Sequence, residues 1–327
     1  MAHGFRIHAF GRPDVMMWED IELGDPGPGE ALVRHLKAGV NFFDIYTRRG
    51  LEKGELPMGL GIEAVGVVEA IGDGVSEVAV GDRVAYGPVI GGALGAYSEA
   101  RIVPAWRLLR VPDAVSDEVV AAAFLKGMTA QYLLKQIGQV GPGDTILFHA
   151  AAGGVGLIAG QWAKALGARA IGTAGGPQKV EAAKAAGYDH VIDYRSVDFV
   201  DAVKELTDGE GVRIVFDSVG KDTLEGSLKC LRECGMLVCF GAASGSRPPL
   251  DIETLSHHGS LYLTRPTLRH YAGTREKLEY TGGDLLNYLA SGDVDIRIAA
   301  RLPLKDAPQA HERLEGRSTI GAIVLEV

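Results

Sequence analysis

Cysteine, basic charge and long apolar stretches are all scarce in this chain. Its three cysteines, Cys230, Cys234 and Cys239, form an odd number in one short region, which suits a reducing cytoplasm rather than a disulfide-bonded secreted protein. The 42 acidic and 33 basic side chains give a net charge of −9, which argues against nucleic acid or an anionic membrane as the main partner. No run reaches transmembrane length and the N-terminus lacks a signal-peptide core, so we expect a cytoplasmic protein.

Two catalytic motifs are missing as well. The Tyr-x-x-x-Lys pair that short-chain reductases use does not occur in the sequence. The Gly-x-Ser-x-Gly turn that exposes the nucleophile of many serine hydrolases is also absent. We therefore expect His149 to pack at a strand end and not to act as the base of a catalytic triad.

The most informative segment that is present runs from His149 to Ile158. Thr145–Phe148 before it is typical of a buried strand, and apolar residues after it recur at helical spacing. A strand, a tight turn and a helix in this order present backbone N–H groups and the positive helix end to a diphosphate. Ala151, Gly153 and Gly156 occupy the positions of the dinucleotide-binding fingerprint, with alanine in place of the first glycine, and Gly154 and Val155 between them are further candidate cofactor contacts. A purely structural turn is the alternative, but the βα units that follow favour nucleotide binding.

The region after the fingerprint indicates NADPH rather than NADH. NAD sites usually carry an acidic residue about twenty residues past the fingerprint, where it bonds the ribose 2′-hydroxyl. Here the second strand, residues 170–173, continues into residues 174–177 without a carboxylate. Lys179 follows and is a suitable point charge for a 2′-phosphate, although a solvated lysine in a first helical turn is the alternative.

The spacing of apolar and turn residues predicts an α/β protein. Valine-rich segments between glycine turns, such as residues 63–69, 81–85 and 95–99, predict an irregular β barrel or sandwich at the front of the chain. A helix is expected from about Ser116. Beyond the fingerprint, strands and helices alternate, which predicts a parallel sheet. The last segment is too short for a core of its own and should pack back onto the first domain.

Seven stretches, taken together, indicate a family. They are Gly39–Tyr46, Gly61–Gly66, Gly81–Val84, Leu125–Thr129, the fingerprint, Phe216–Gly220 and Leu263–Pro266. With them the chain resembles the zinc-independent quinone oxidoreductase (zeta-crystallin-like) branch of the medium-chain dehydrogenase/reductase superfamily. The resemblance implies a GroES-like β-rich catalytic domain in residues 1–123 and 266–327 and a Rossmann domain, a doubly wound parallel sheet, in residues 124–265. It also implies an active site in the cleft and a homodimer.

The same resemblance argues against a catalytic metal. Zinc-dependent relatives place a cysteine where this chain has Asn41 and a histidine where it has Ile62. A catalytic zinc needs about three protein ligands around an open position, and Glu63 alone cannot supply them. We expect Glu63 to bond nearby backbone or side chains, and no metal to be bound.

Asn41 and Tyr46 are the catalytic candidates, because the resemblance places them near the nicotinamide and the substrate. An amide can donate to a carbonyl oxygen, and a phenol can donate a hydrogen bond and supply a proton. A turn residue and a half-buried core tyrosine are the alternatives. Some relatives have a second tyrosine just after this motif, but this chain has Leu51–Glu55 there, which puts quinone specificity in question.

The resemblance also implies the remaining cofactor contacts. Thr129 matches a hydroxyl near the nicotinamide, and Phe240 with Gly241 ends the last central strand. Tyr194 and Arg317 would surround the 2′-phosphate with Lys179. The last two candidate cofactor-binding residues are Thr173, which ends the second strand, and Arg265, which would lie at the cofactor or at the dimer interface. Ala242 replaces an asparagine that is frequent in the family, so any side-chain bond made there is lost.

The expected function is NADPH-dependent reduction of a quinone or a similar electron-poor carbonyl compound. One alternative is an NADPH-dependent reductase of activated alkenes such as enones or 2-haloacrylates, and a cationic group such as Arg265 would favour a carboxylated alkene. The alternative of another class is a structural or RNA-binding protein that binds NADPH without catalysis. The acidic composition makes nucleic-acid binding the weaker expectation.

Overall fold

The computed structural model describes residues 2–52, 54–90, 92, 94–316 and 319–327. The strands are β1 (Ala2–Ile7), β2 (Met16–Ile21), β3 (Glu30–Gly39), β4 (Met58–Gly59), β5 (Ala64–Ile71), β6 (Arg83–Tyr86), β7 (Ala100–Pro104), β8 (Leu109–Arg110), β9 (Thr145–Phe148), β10 (Arg169–Ala174), β11 (His190–Asp193), β12 (Val212–Asp217), β13 (Leu231–Cys239), β14 (Tyr262–Thr264), β15 (Ile298–Pro303) and β16 (Ala322–Glu326).

The helices of the described residues are mostly short. They are α1 (Phe42–Arg48), α2 (Asp117–Gln131), α3 (Gly154–Ala165), α4 (Pro177–Ala185), α5 (Phe199–Leu206), α6 (Leu224–Lys229), α7 (Glu253–His257), α8 (Leu268–Tyr271), α9 (Arg275–Leu278), α10 (Asp284–Ser291) and α11 (Ala307–Glu315). Two π-helical segments, Tyr132–Ile137 and Glu279–Gly283, extend α2 and join α9 to α10. No helix in the described part of the chain is both long enough and apolar enough to span a membrane.

The chain divides into two compact units. The first unit contains Met1–Met128 and Tyr271–Val327, and the second contains Thr129–His270. The domain boundaries predicted from the sequence lie five residues earlier, at 124 and 265, against 129 and 270 in the structure. The change of unit falls inside α2, so no break in secondary structure marks that boundary in the sequence.

The first unit is built from two sheets. β2, β1 and β4 form a small antiparallel sheet, and β15, β16, β3, β5, β6 and β8 follow one another in a larger sheet in which β7 also pairs with β3. Side chains of β3 alternate between buried and more exposed positions, which is typical of a strand with one face on a core. Val33 and Leu325 are fully buried in one hydrophobic cluster, so the C-terminal strand β16 packs into the core of the first unit.

One strand prediction in the first unit was wrong. Residues 95–99 form bends and a single bridge between Ser98 and Gly4, and the strand lies just after them in β7. Gly95 passes so close to Leu60 that an added Cβ would lie less than 3.0 Å from its carbonyl oxygen. The segment is held against a neighbouring backbone and does not run along a ladder.

The second unit contains the predicted parallel sheet. Its strands lie in the order β11, β10, β9, β12, β13, β14, and every neighbouring pair is parallel. The order reverses direction between β9 and β12, and open α/β sheets bind ligands outside the carboxyl ends of strands at such a point. Leu147 and Val215, on the two central strands, are fully buried, because strands with helices on both faces have no polar face.

Candidate active site

The fingerprint turn joins β9 to α3 at the carboxyl edge of the parallel sheet. Gly153 is the N-cap of α3 and offers no side-chain cap, so the first N–H groups of the helix are left for another acceptor. A Cβ on Gly156 would lie less than 3.0 Å from the carbonyl oxygens of Ala150 and Ala151. Gly154 and Val155 are the first two residues of α3. A diphosphate fits this cradle, because it meets unshielded N–H groups and the positive end of a twelve-residue helix.

The structure explains the alanine at the first fingerprint position. Ala151 is fully buried, and its N–H donates to the Thr173 carbonyl at 2.9 Å. The neighbouring strand has Gly172 at the facing position, where an added Cβ would lie less than 3.0 Å from the Ala151 methyl group. Because Gly172 on β10 has no side chain, the methyl group of Ala151 fits at a position where the fingerprint usually has glycine.

Thr173 and His149 form a buried hydrogen-bonded pair beside this turn. Thr173 is 2% exposed, and its hydroxyl lies 2.9 Å from His149 Nδ1, while His149 Nε2 lies 3.1 Å from the Ser227 hydroxyl. Burial lowers the pKa of His149 to about 4, against the opposing charge of Asp217. His149 is thus a neutral, buried hydrogen-bonding residue at the strand end, and the Thr173 side chain faces it.

Polar side chains surround the turn between β10 and α4. Tyr194 and Arg195 both pack on Gly175: an added Cβ would lie less than 3.0 Å from the Tyr194 hydroxyl and 3.2 Å from Arg195 Nε. The Lys179 N–H donates to the Gly176 carbonyl in the first turn of α4. The structure therefore brings Lys179 and Tyr194 to one turn, adds Arg195 to them, and leaves the predicted Arg317 outside the described residues.

A carboxylate also reaches this turn, which the sequence did not predict. Asp193 ends the next strand, β11, and its Oδ1 accepts N–H groups from Gly176 at 2.9 Å and Arg195 at 3.1 Å. These bonds, with the Gly176 bond first, lower the pKa of the Asp193 carboxyl. The carboxylate therefore bonds the backbone of the turn between β10 and α4 as well as that of the residues after β11, beside the Arg195 guanidinium.

Phe240 and Gly241 follow the end of β13. The Phe240 ring lies 5.6 Å from the Phe148 ring, and its N–H donates to the Asp217 carbonyl at 2.9 Å. Arg247, which sequence reasoning missed, donates from Nη2 to the carbonyls of Asp217 and Gly241 and so ties together the loops after β12 and β13. Arg265, after β14, is exposed and donates to the Pro266 carbonyl.

In the first unit, Asn41 is held by a buried carboxylate. Asn41 is the N-cap of α1 and is 7% exposed, and its Nδ2 donates to Glu63 Oε1 at 2.7 Å. The same oxygen accepts from Lys126 Nζ at 3.1 Å, and Oε2 accepts the Leu125 N–H at 2.6 Å. Glu63 therefore bonds backbone and side chains, as predicted.

A second carboxylate, Asp44, holds the backbone of the same helix end. Its Oδ2 accepts the Asn41 N–H at 2.9 Å and the Tyr97 hydroxyl at 2.8 Å. Arg48 Nη1 lies 3.0 Å from His311 Nδ1, and because a guanidinium only donates, His311 Nε2 carries the proton that it donates to Tyr97 at 3.2 Å. Burial lowers the pKa of His311 to about 3, which keeps its ring neutral.

Burial also raises the pKa of Asp44 to about 7, although the bonds from Tyr97 and Asn41 oppose the shift. Within the described residues its Oδ1 has no hydrogen-bond partner. The chain of bonds from Arg48 through His311 and Tyr97 to Asp44 ties α11 to the start of α1, which carries the catalytic candidates.

Tyr46 and Thr129 complete the predicted set. Tyr46 is half-buried on α1, one turn after Phe42, and the two rings lie 6.3 Å apart. Thr129 is half-buried in α2, where the second unit begins. Among the described residues no three His, Cys, Asp or Glu side chains are grouped so that they could hold a metal ion.

Known proteins match both parts of the chain. Residues 27–113 match the alcohol dehydrogenase GroES-like domain, and residues 154–281 match the zinc-binding dehydrogenase family. A quinone oxidoreductase of Pseudomonas aeruginosa is 47% identical over 99% of both chains, and a 2-haloacrylate reductase of a Burkholderia species is 45% identical over 98% of this chain and 97% of its own.

Solved structures agree with these relatives. The Escherichia coli quinone oxidoreductase in complex with NADPH superposes with a TM-score of 0.95 at 45% identity, covering 99% of this chain and all of the other. Its likeness extends over the GroES-like part and the parallel Rossmann sheet. The chain therefore belongs to the quinone oxidoreductase branch of the medium-chain dehydrogenase/reductase superfamily.

Proposed function

We propose that this protein is an NADPH-dependent oxidoreductase that reduces quinones and related electron-poor carbonyl compounds without a metal ion. The observation that carries the proposal is the Asn41 amide, which is fixed by buried Glu63 at the position where zinc-dependent relatives have a cysteine ligand. Relatives named quinone oxidoreductase, and one solved with NADPH, support the choice of acceptor and coenzyme.

The second unit supplies the proposed coenzyme site. The N–H groups at the start of α3 would bind the diphosphate, and Lys179, Tyr194 and Arg195 would bind the 2′-phosphate. Phe240 and Gly241, held by Arg247, would flank the nicotinamide, with Thr129 and Arg265 as the remaining proposed contacts. When bound, NADPH supplies the hydride.

The first unit supplies the proposed acceptor contacts. One Nδ2 hydrogen of Asn41 is used by Glu63, so the second hydrogen can donate to an acceptor oxygen that gains negative charge. Tyr46, one turn further along α1, would donate a hydrogen bond or a proton. The protein thus orients the acceptor and stabilises charge, and protons for a reduced quinone can come from water.

The decisive experiment measures acceptor-dependent oxidation of NADPH by the purified protein. Quinone turnover should far exceed NADPH oxidation without acceptor, and Asn41→Ala should lower turnover about a hundredfold while the Kd for NADPH stays near wild type. An unchanged turnover in Asn41→Ala would refute the acceptor role of this amide.

A second candidate activity is the reduction of 2-haloacrylates or enones. It is favoured by the 45% identity to a 2-haloacrylate reductase and by exposed Arg265, which could pair with a substrate carboxylate. The same assay separates the candidates: a carboxylated haloalkene turned over faster than any quinone, with a loss in Arg265→Ala, would favour the alkene reductase.

We also propose a homodimer that works in the cytoplasm, where its three free thiols would remain reduced. β14 is the last strand of the parallel sheet, and Tyr262 and Leu263 on it are 60% and 42% exposed. An unpaired edge with exposed apolar side chains can pair with a second copy. Light scattering should give about twice the chain mass of 34.6 kDa, and Leu263→Lys should lower it.

A further inference from the structure

Glu63 occupies a closed polar site within the first unit. It comes just before β5, while its partners come from the start of α1 and from α2. Its side chain is fully buried, and that of Lys126 is 9% exposed. The site leaves no space beside Gly39, where an added Cβ would lie less than 3.0 Å from Glu63 Oε1 and from the Ala121 carbonyl oxygen. Three elements and one glycine therefore hold this carboxylate.

The bond between Glu63 and Asn41 has a direction. An ionised carboxylate only accepts hydrogen bonds, so the Asn41 atom that faces it must be the amide nitrogen. An asparagine amide has nearly the same shape when its oxygen and nitrogen exchange places. Glu63 removes that ambiguity, and it determines which polar atoms Asn41 presents on its remaining side.

Lys126 provides the balancing charge. Its ammonium group bonds the same oxygen that Asn41 bonds, and Glu63 also lies near the second buried carboxyl, Asp44, whose pKa it helps to raise. Tyr97, the other titratable group that faces these carboxyls, is neutral, because burial raises its pKa well above the usual range. Lys126 is thus the cation in direct contact with a buried carboxylate that must remain an acceptor.

We propose that Glu63 and Lys126 are positioning residues that set the direction in which Asn41 presents its amide to the acceptor. The inference rests on the proposed function, because it matters to turnover only if Asn41 contacts the acceptor. Neither residue needs to touch substrate or coenzyme. Glu63 acts through a single hydrogen bond, and Lys126 acts through Glu63.

The test is a double-mutant cycle of Glu63→Gln and Asn41→Ala. A glutamine amide can donate or accept, so it keeps the shape but no longer dictates which way Asn41 points. Alone, Glu63→Gln should lower quinone turnover about tenfold with the Kd for NADPH unchanged, and in the Asn41→Ala background its effect should be less than about twofold. Glu69→Gln, the same change at an exposed ion pair with Arg34 near the end of β5, is the matched control.

Lys126 provides a second set of variants that tests the same idea if Glu63→Gln does not fold. Lys126→Met should reproduce the loss, and Lys126→Arg, which keeps the charge, should recover most of the turnover. Equal losses from Glu63→Gln with and without Asn41 would overturn the inference, because the carboxylate would then support structure alone. A large loss in Asn41→Ala with none in Glu63→Gln would refute only the positioning role. No loss in Asn41→Ala would refute the acceptor role of Asn41 on which the inference rests, whereas a wild type without acceptor-dependent NADPH oxidation would refute the proposed function itself.

Discussion

Asp44 should make the first unit less stable as the pH rises from about 4 to about 7. Its pKa is raised from 3.8 to about 7, chiefly by burial, so in this window the folded carboxyl keeps a proton that the unfolded one has lost. The free energy of unfolding then falls by about 1.4 kcal/mol per pH unit from this group. Over the window the loss is on the order of 4 kcal/mol, and stability from this source is fully present only below about pH 4.

Asp44→Asn isolates this effect, because an amide oxygen can still accept from Asn41 and Tyr97 but cannot ionise. The measured quantity is the difference in unfolding free energy between wild type and variant, from urea titrations at several pH values. Trp18 and Trp106 lie in the first unit and Trp162 in the second, so a Trp162→Phe background makes tryptophan fluorescence report on the first unit alone.

The wild type should lose stability relative to Asp44→Asn by several kcal/mol between pH 4 and pH 8. The same comparison with exposed Asp73, through Asp73→Asn, should not show this trend. A difference that stays constant with pH would refute the reasoning, because Asp44 would then have the same proton affinity in both states.

Three further predictions concern the site. Turnover should survive extensive chelation with far less than one zinc per chain, since the sequence supplies Asn41 and Ile62 in place of ligands; stoichiometric zinc whose removal abolishes turnover would contradict this. Lys179→Ala and Arg195→Ala should each weaken NADPH binding about fivefold to tenfold in titrations and leave NADH nearly unchanged, whereas equal losses for both coenzymes would indicate a structural role. Tyr46→Phe should slow an enone, whose reduced carbon needs a proton, more than a quinone; wild-type rates on both would remove the tyrosine from the mechanism.

Helices and strands were predictable where local pattern and packing agree. α5 and β16 have the bounds expected from the sequence, because Asp198 caps α5 with two backbone bonds and β16 is a short, buried apolar run. The fingerprint indicated a strand, a turn and a helix, which fixed the order of elements around the diphosphate cradle. Patterns of this kind depend on neighbours within one or two turns of the same chain segment.

Contacts between distant segments were not predictable in the same way. Asp193 and Arg195 reach Gly176 because β11 pairs in register with β10, and Gly172 makes space for Ala151 for a similar reason. Arg48 and His311 are 263 residues apart in the sequence yet hydrogen-bonded. The motif around residues 39–46 indicated Asn41, but only the fold shows that two carboxylates hold it.

These two carboxylates differ in the part of Asn41 that they hold. Asp44 accepts the backbone N–H and so fixes where the helix begins, whereas Glu63 accepts the side-chain amide and so fixes where its remaining hydrogen points. Within the described part of the chain, Glu63 has a cation in direct contact and Asp44 has none, and Asp44 holds its proton to about pH 7. Lowering the pH through this value should therefore change the charge beside the backbone of α1 while the Lys126–Glu63 pair continues to direct the amide. Asp44 thus acts on the position of the helix start, and Glu63 acts on the direction of the amide.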